Sequence, residues 1–267
     1  AYVRRQRQMC IRDRQQGAFY FHYFRFMRKY LCLLFFFIAC GESNDSLPNT
    51  QDNGGEDNQA NLTQYQKDVI AYFKEIALGF EFGTASAITR KWKSPLNIFV
   101  GGKDNPDLNL ELNSIKDEIN NLAKDGFKIN VVNDSLAANY YIFFGSGQEY
   151  AKIYPSLANY VNNNWGLFNI YWNSDNVLNY GHMYVDTNRA NIEEQKHLLR
   201  EELTQSLGLG KDSEKYPNSI FQSSWTQTTE YMLIDRDLIR LLYHPDMRIG
   251  LNYITVEEVL IQILQNE

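Results

Sequence analysis

The order of apolar patterns between residues 62 and 267 is the feature that most restricts the fold of this chain. Helical spacing at 64–78 is followed by a strand pattern at 95–101 and by helical spacing at 107–125. Strand patterns then recur at 127–132, 139–144, 166–172 and 181–186. A further helix is expected from about Asn191 to Leu207, and a mostly helical tail follows it. No second linker interrupts residues 62–267, so the sequence predicts one α+β domain.

The residues before this domain predict an export and anchoring segment. Residues 27–39 join a charged start, Arg28 and Lys29, to a short apolar run and a small residue, which is typical of a secretory signal peptide. The apolar run is about half of the roughly 20 residues that a permanent membrane span requires. Cys40 follows Ala39 directly, and this junction resembles the lipobox of bacterial lipoproteins, which implies a lipid anchor on Cys40. The alternative is a buried cysteine after a core strand.

The segments on either side of that signal are interpreted separately. Residues 1–26 are basic and aromatic, and the string MCIRDR within them resembles translated adapter DNA, so we interpret them as an artefactual upstream translation. Residues 40–61 contain almost no apolar side chain, which predicts a flexible tether because too little surface could be buried to offset the ordering entropy. The domain proper is expected to cover 62–267.

Charge and cysteine content exclude two classes of function. Removing residues 1–39 removes eight of the 26 basic and one of the 32 acidic residues, which leaves a net charge of −13. An excess of acidic groups argues against nucleic acid as a partner, since no basic surface would displace counterions from phosphate. Cys40 would be the single remaining cysteine, so no internal disulfide is expected. The sequence therefore predicts an acidic protein of the cell envelope, lipid-anchored and either periplasmic or at the cell surface.

One helix carries the residues of greatest chemical interest. Residues 196–213 read KHLLREELTQSLGLGKDS. At 100° per residue, one side of this helix is apolar and should pack under the sheet; it consists of Ile192, Leu199, Leu203 and Leu207. The opposite side places His197, Glu201 and Gln205 at successive i, i+4 steps, with Glu202 about 100° away from Glu201. A solvated helix face is the alternative explanation of such a polar stripe.

This helix resembles the zinc-binding helix of metzincin metallopeptidases, which carries H-E-x-x-H-x-x-G. In the aligned string EELTQSLG, Glu201 and Gln205 occupy the histidine places, Glu202 the general-base place and Gly208 the glycine place. NSIF at 218–221 resembles the methionine turn, and LIDRDLIRLLY at 233–243 resembles the last helix. The resemblance implies a zincin-like fold, with a mixed twisted sheet of about five strands, the motif helix beneath it and a mostly helical C-terminal part.

The departures from the metzincin pattern limit which metal and which activity the resemblance implies for this chain. Both zinc-binding histidines are absent, and the third ligand place falls on Lys211, or on Asp212 after a shift of one residue. An oxygen set of Glu201, Gln205 and Asp212 would suit a hard divalent cation better than zinc, so ordinary zinc catalysis is not expected and the cofactor is left open. The segments EELTQ, SIF and 235–245 also resemble a bacterial family of envelope proteins with a domain of unknown function and a Glu-Glu-x-Thr-Gln signature.

The sequence leaves three functional hypotheses open. The first is a zincin-like lipoprotein that engages peptide or glycan in a metallopeptidase-type cleft, and the second is a purely structural or binding lipoprotein. The third is a hydrolase that uses a non-zinc metal or the Glu201/Glu202 pair, in which Glu202 and Glu201 would be catalytic. If the two carboxylates are held close together, neutralising one should stabilise the fold.

Further candidates lie near this helix in the predicted arrangement. The binding candidates are Gln205, His197, Asp212 and His182. His182 is expected to be a neighbour of the motif helix because it opens the strand that leads into it. Trp165 and Trp225 are candidates for the lining of a cleft.

Overall fold

A computed structural model describes residues 61–80 and 84–267 of the chain. The predicted artefactual segment 1–26, signal peptide 27–39 and lipidation site Cys40 lie outside the described residues, as does the tether 40–61 apart from its last residue. Within the described ranges, no helix is long and apolar enough to cross a membrane.

The described residues form six helices and six strands. The helices are α1 (Gln64–Ala77), α2 (Pro106–Leu122), α3 (Gly147–Ile153), α4 (Ile192–Gln205), α5 (Leu233–Leu242) and α6 (Tyr253–Gln265). The strands are β1 (Lys91–Trp92), β2 (Leu96–Gly102), β3 (Ile129–Val131), β4 (Tyr140–Gly145), β5 (Gly166–Trp172) and β6 (Val177–Asp186). Short 3₁₀ turns lie at Ser135–Ala137 and Pro155–Leu157.

The six strands form one mixed sheet. Its main order is β3-β2-β4-β6-β5, in which neighbouring strands are parallel except for β5, which runs antiparallel to β6. The two-residue strand β1 adds to the start of β6 in parallel. Five parallel strands and one antiparallel edge strand, followed by the helix α4, confirm the predicted α+β class.

The two faces of the sheet bury different cores. Ile98, Ile142 and Met183 point to the larger core, which includes apolar residues of α1, α2, α4, α5 and α6. Phe143 and Tyr184 point to a smaller core on the other face, where they meet residues of α3 and the segment after it. This division follows from the alternation of side chains along each strand. Helix α4 therefore lies on the opposite face from α3.

Helix α3 was not predicted from the sequence, which was interpreted as four successive strands. It begins at a capping box in which the side chain of Ser146 accepts from the backbone N–H of Glu149 and Glu149 accepts from the N–H of Ser146. The Ser-x-x-Glu pattern is a known helix-start signal, but here it opens a helix of only seven residues. So short a helix gives no apolar periodicity that could be recognised in the sequence.

Two details of the predicted elements need correction. The strand predicted at 181–186 is longer and starts at Val177. Ile192 was placed among the packing residues of the motif helix, but it is the first residue of α4 and is 36% exposed. Because Ile192 lies in the first turn of α4, its side chain is not covered by the core in the way that the later leucines are. Leu199, Leu203 and Leu207 are fully buried, as predicted.

Candidate functional site

The ends of α4 are fixed by local sequence signals. Asn191 caps the N-terminus by accepting from the backbone N–H groups of Glu193 and Glu194, and Glu194 accepts in return from the N–H of Asn191. At the other end Gly208 has a φ of 115°, and a Cβ there would lie 2.0 Å from the carbonyl oxygen of Arg90. Only glycine fits this combination of left-handed backbone and close approach. These signals fix where the polar residues of α4 project.

Both sides of α4 are buried. Leu199, Leu203 and Leu207 face the core, while His197, Glu201 and Gln205 on the opposite side are only 0–1% exposed. The alternative of a solvated helix face is therefore wrong. Burying charged and amide groups is unfavourable unless they form hydrogen bonds or ion pairs inside the protein, so these side chains need buried partners.

His197 and Glu201 form a buried pair. The ring atom Nε2 of His197 lies 3.2 Å from Oε2 of Glu201, and Nδ1 lies 2.7 Å from the carbonyl oxygen of Thr228. A carbonyl oxygen only accepts, so Nδ1 must carry a proton and donate it to Thr228. The other nitrogen, Nε2, faces the carboxylate of Glu201 and also lies 3.5 Å from the hydroxyl of Thr226. The imidazole is thus hydrogen-bonded at both nitrogens.

Gln205 and Asp212 form a second contact one turn further along. The amide nitrogen Nε2 of Gln205 donates to Oδ1 of Asp212 over 2.5 Å. Asp212 is brought into place by the segment after α4, where Lys211 donates its backbone N–H to Ile76 at the end of α1. The structure thus unites two of the predicted site residues that are seven positions apart. The other amide atom, Oε1 of Gln205, is buried with no hydrogen-bond partner in the described ranges.

Glu202 points to a different neighbour from Glu201. A Cβ added to Gly166 at the start of β5 would lie 2.9 Å from Oε1 of Glu202, so the carboxylate packs against the bare backbone of the edge strand. Glu202 is 1% exposed. A larger residue than glycine at position 166 would displace it. The two adjacent glutamates therefore have separate environments, with Glu201 beside His197 and Glu202 beside β5.

His182 does not join this cluster, contrary to our expectation. It follows Gly181 and precedes Met183, which faces the larger core, so alternation turns His182 to the other face of the sheet. There its Nδ1 contacts the hydroxyl of Tyr150 at 2.5 Å and its ring stacks on Tyr154. Burial lowers the pKa of His182 to about 3, because the charged imidazolium would lose its hydration.

Two tryptophans border the polar side of α4. The rings of Trp165 and Trp225 meet edge to face with their centroids 5.5 Å apart, and Trp225 also lies 6.2 Å from the His197 ring. Trp225 is 37% exposed. Trp225 therefore reaches from the His197 ring to the solvent.

Sequence reasoning missed the residue that organises the turn at 218–221. Asp235 accepts hydrogen bonds from the hydroxyl of Ser219 at 2.6 Å and from the backbone N–H groups of Ile220 and Met232 at 3.0 Å each. Its carboxylate is fully buried, and this burial raises the pKa of Asp235 despite the three donors. The string DRDLIR signalled a helix, but it did not distinguish Asp235 from Asp237 as the buried one.

The residues aligned with the metzincin ligand places in the sequence, Glu201 and Gln205, contact other side chains of the protein. In the ranges 61–80 and 84–267, no group of three His, Cys, Asp or Glu side chains converges in a way that could hold a metal ion. Nε2 of His197 is engaged with Glu201, and Gln205 presents its amide N–H to Asp212. An N–H group cannot ligate a cation, so the amide nitrogen of Gln205 is not a metal ligand in this arrangement.

Comparison with known proteins adds the following. No curated protein matches the chain. Among solved structures, one of myroilysin matches with a TM-score of 0.36 and 11% identity, covering 58% of this chain and 82% of that one. A second structure of myroilysin gives a TM-score of 0.37 and 11% identity, and the match covers 64% of this chain and 95% of that one. The family described as "Protein of unknown function (DUF2927)" matches residues 66–262, and the chain therefore belongs to that family.

Proposed function

We propose that this protein is a lipid-anchored binding protein of the cell envelope whose zincin-like domain does not perform zinc peptidase chemistry. One observation carries the proposal: the side chains at and beside the zinc-ligand places of α4 are 0–1% exposed and are paired within the protein. A catalytic metal site keeps one coordination position open for water or substrate. Here His197 contacts Glu201 and Gln205 contacts Asp212, so these groups stabilise the packing around α4 instead of activating a nucleophile.

The ligand that suits such a cleft is an extended peptide. Strand β5 pairs with β6 alone among the strands of the described chain, so its second edge is not taken by another strand. A peptide can add to such an edge through main-chain hydrogen bonds. Trp165 lies directly before β5, and Trp225 contacts it, which supplies aromatic surface for side chains of the ligand. A glycan in the same cleft is the alternative that a binding assay would distinguish.

The lipid anchor of this proposal depends on Cys40, which lies outside the described residues. Its support is the sequence around the Ala39–Cys40 junction and the acidic, nearly apolar-free segment 41–61 that would separate the domain from a membrane. Metabolic labelling with a fatty-acid analogue in a bacterial host tests it. The native protein should be labelled and Cys40→Ser should not; equal labelling of both would refute the anchor.

A hydrolase that uses a hard cation is the second candidate function. It is favoured by Oε1 of Gln205, which is buried without a hydrogen-bond partner in the described part of the chain. A carbonyl-type oxygen in that position could contribute to a Ca²⁺, Mg²⁺ or Mn²⁺ site if Asp212 and Glu201 turned towards it. In this candidate the catalytic groups would be Glu202 and Glu201.

Calorimetric titration with Zn²⁺, Ca²⁺, Mg²⁺ and Mn²⁺ separates the two candidates. The native domain should take up none of them stoichiometrically, and a casein or peptide-library digest should be no faster than a buffer control. The variant Glu201→His/Gln205→His, which places two imidazoles at i and i+4, serves as the positive control for Zn²⁺ once circular dichroism shows it to be folded. One equivalent of any metal on the native domain, with chelator-sensitive hydrolysis, would overturn the proposal.

A further inference from the structure

The face of the sheet opposite α4 carries a small aromatic pocket. Its volume is about 260 Å³, and it lies over the N-terminal halves of β4 and β6. The residues that the argument uses are Phe99, Ser135, Tyr141, Tyr154 and Tyr180. The pocket is separated from the α4 cluster by the thickness of the sheet, so it is independent of the function proposed above.

The rings of this pocket are arranged as a wall and a rim. Phe99 and Tyr141 lie nearly parallel at 14°, with their centroids 6.0 Å apart, and Tyr154 is tilted by 50° against Tyr141. The hydroxyl of Tyr154 lies 3.4 Å from that of Tyr180. Tyr180 is 42% exposed, so it forms the solvent-facing rim. A flat ligand ring could therefore contact an aromatic face and two hydroxyl groups together.

No charged side chain lines the pocket. Burial raises the pKa of Tyr141 and of Tyr154, so both hydroxyls stay neutral at physiological pH and can donate as well as accept. A nucleobase would also stack on such rings, but sites for nucleic acids combine aromatic rings with basic groups that contact phosphate. The lining therefore favours a neutral, polyhydroxylated ligand.

The ring of Tyr154 packs on a buried histidine. His182 is 1% exposed and stacks on Tyr154 at 4°, with their centroids 3.6 Å apart. Its Nδ1 is engaged with the hydroxyl of Tyr150, while its Nε2 is buried with no hydrogen-bond partner in the described residues. The stacked imidazole therefore supports the ring of Tyr154 from the side that faces the sheet.

We propose that this pocket binds one neutral sugar ring of a glycan, stacked on the aromatic wall and hydrogen-bonded by the hydroxyls of Tyr154 and Tyr180. The volume matches a single ring, since pockets for whole drug-sized ligands begin at about 300 Å³. A proline-rich peptide is less suitable. It binds along an extended groove with repeated pockets, because its helix advances about 3.1 Å per residue, whereas this site is one compact cavity.

Saturation-transfer NMR and calorimetry with defined oligosaccharides test the proposal. The probes are chitotetraose, cellotetraose and maltotetraose, with a proline hexapeptide as the competing class. At least one sugar should bind to the native protein. Tyr180→Ala should weaken that binding about tenfold or more, because it removes the rim ring together with one of the two hydroxyl groups. Tyr180→Phe, which keeps the ring, should weaken it less.

The matched control is Tyr253→Ala, which removes an aromatic ring that is 62% exposed on α6, away from the pocket. It should leave sugar binding unchanged. Tyr180 is half-exposed, so its variants should keep the native melting temperature, which is measured first. Failure of all three sugars to bind, binding of the proline peptide alone, or equal losses in Tyr180→Ala and Tyr253→Ala would each overturn the proposal.

Discussion

Substituting Glu201 by glutamine should destabilise the protein, because the carboxylate is the buried partner of His197. The sequence alone suggested the opposite, since two adjacent glutamates held together would repel each other. In the structure Oε2 of Glu201 lies 3.2 Å from Nε2 of His197, and both side chains are 0–1% exposed. A hydrogen bond to a charged group contributes about 1.5–3 kcal/mol, so Glu201→Gln should lower the free energy of unfolding by about that amount.

A double-mutant cycle gives the sharper form of this prediction. Glu201→Leu leaves His197 without its acceptor, and His197→Phe leaves a buried carboxylate without its donor, so each should cost about 3–5 kcal/mol. The double variant removes both polar groups and should be less destabilised than the sum of the two, by about 1–3 kcal/mol. Urea unfolding followed by tryptophan fluorescence measures all three, since Trp225 lies beside the His197 ring.

The control for this cycle is Glu193→Gln on the exposed first turn of the same helix. The carboxylate of Glu193 lies 3.5 Å from the ammonium group of Lys196 on the surface, so its substitution should change stability by no more than about 0.5 kcal/mol. If Glu201→Gln behaves like this control, or if the coupling between positions 197 and 201 is close to zero, the buried pair does not exist as described.

Three further predictions concern the core, the acid stability and the anchor. Leu203→Ala should cost about 2–5 kcal/mol in urea unfolding, because Leu203 is fully buried and its removal leaves a cavity. The native protein should lose stability as the pH falls from about 6.5 towards 3, by about 2 kcal/mol at pH 5, because the unfolded state binds a proton that buried His182 does not. His182→Gln should make the same pH profile flatter, and a profile unchanged by it would contradict this assignment. Cys40→Ser should move the protein from the membrane fraction to the soluble fraction on cell fractionation, and its retention in the membrane would count against lipidation.

The sequence predicted those parts of the fold that depend on local periodicity. The 3.6-residue repeat of Leu199, Leu203 and Leu207 predicted both α4 and the face that it buries, and Gly208 predicted where the helix ends. The alternation along β6 could also have shown that His182 and Met183 face opposite sides. We instead placed His182 by analogy with the motif helix, and that placement was wrong.

The polar side of α4 could not be predicted from the sequence in the same way. A stripe of His197, Glu201 and Gln205 is compatible with solvent, with a metal or with buried partners. Its burial depends on Asp212, Trp225 and Thr228, which lie in irregular segments without a period. Such contacts arise only from tertiary packing. The same is true of the hydrogen bonds that Ser219 and Ile220 donate to Asp235.

The central claim is that His197 and Glu201 form a buried hydrogen-bonded pair on α4 that does not bind a metal ion. Long-range ¹H–¹⁵N NMR of the His197 ring, recorded before and after one equivalent of Zn²⁺, tests it most directly. The account predicts that Nδ1 carries the proton that it donates to Thr228 and that the signals of both ring nitrogens do not change when the metal is added. A shift of Nε2 to the position of a metal-bound nitrogen would contradict the account.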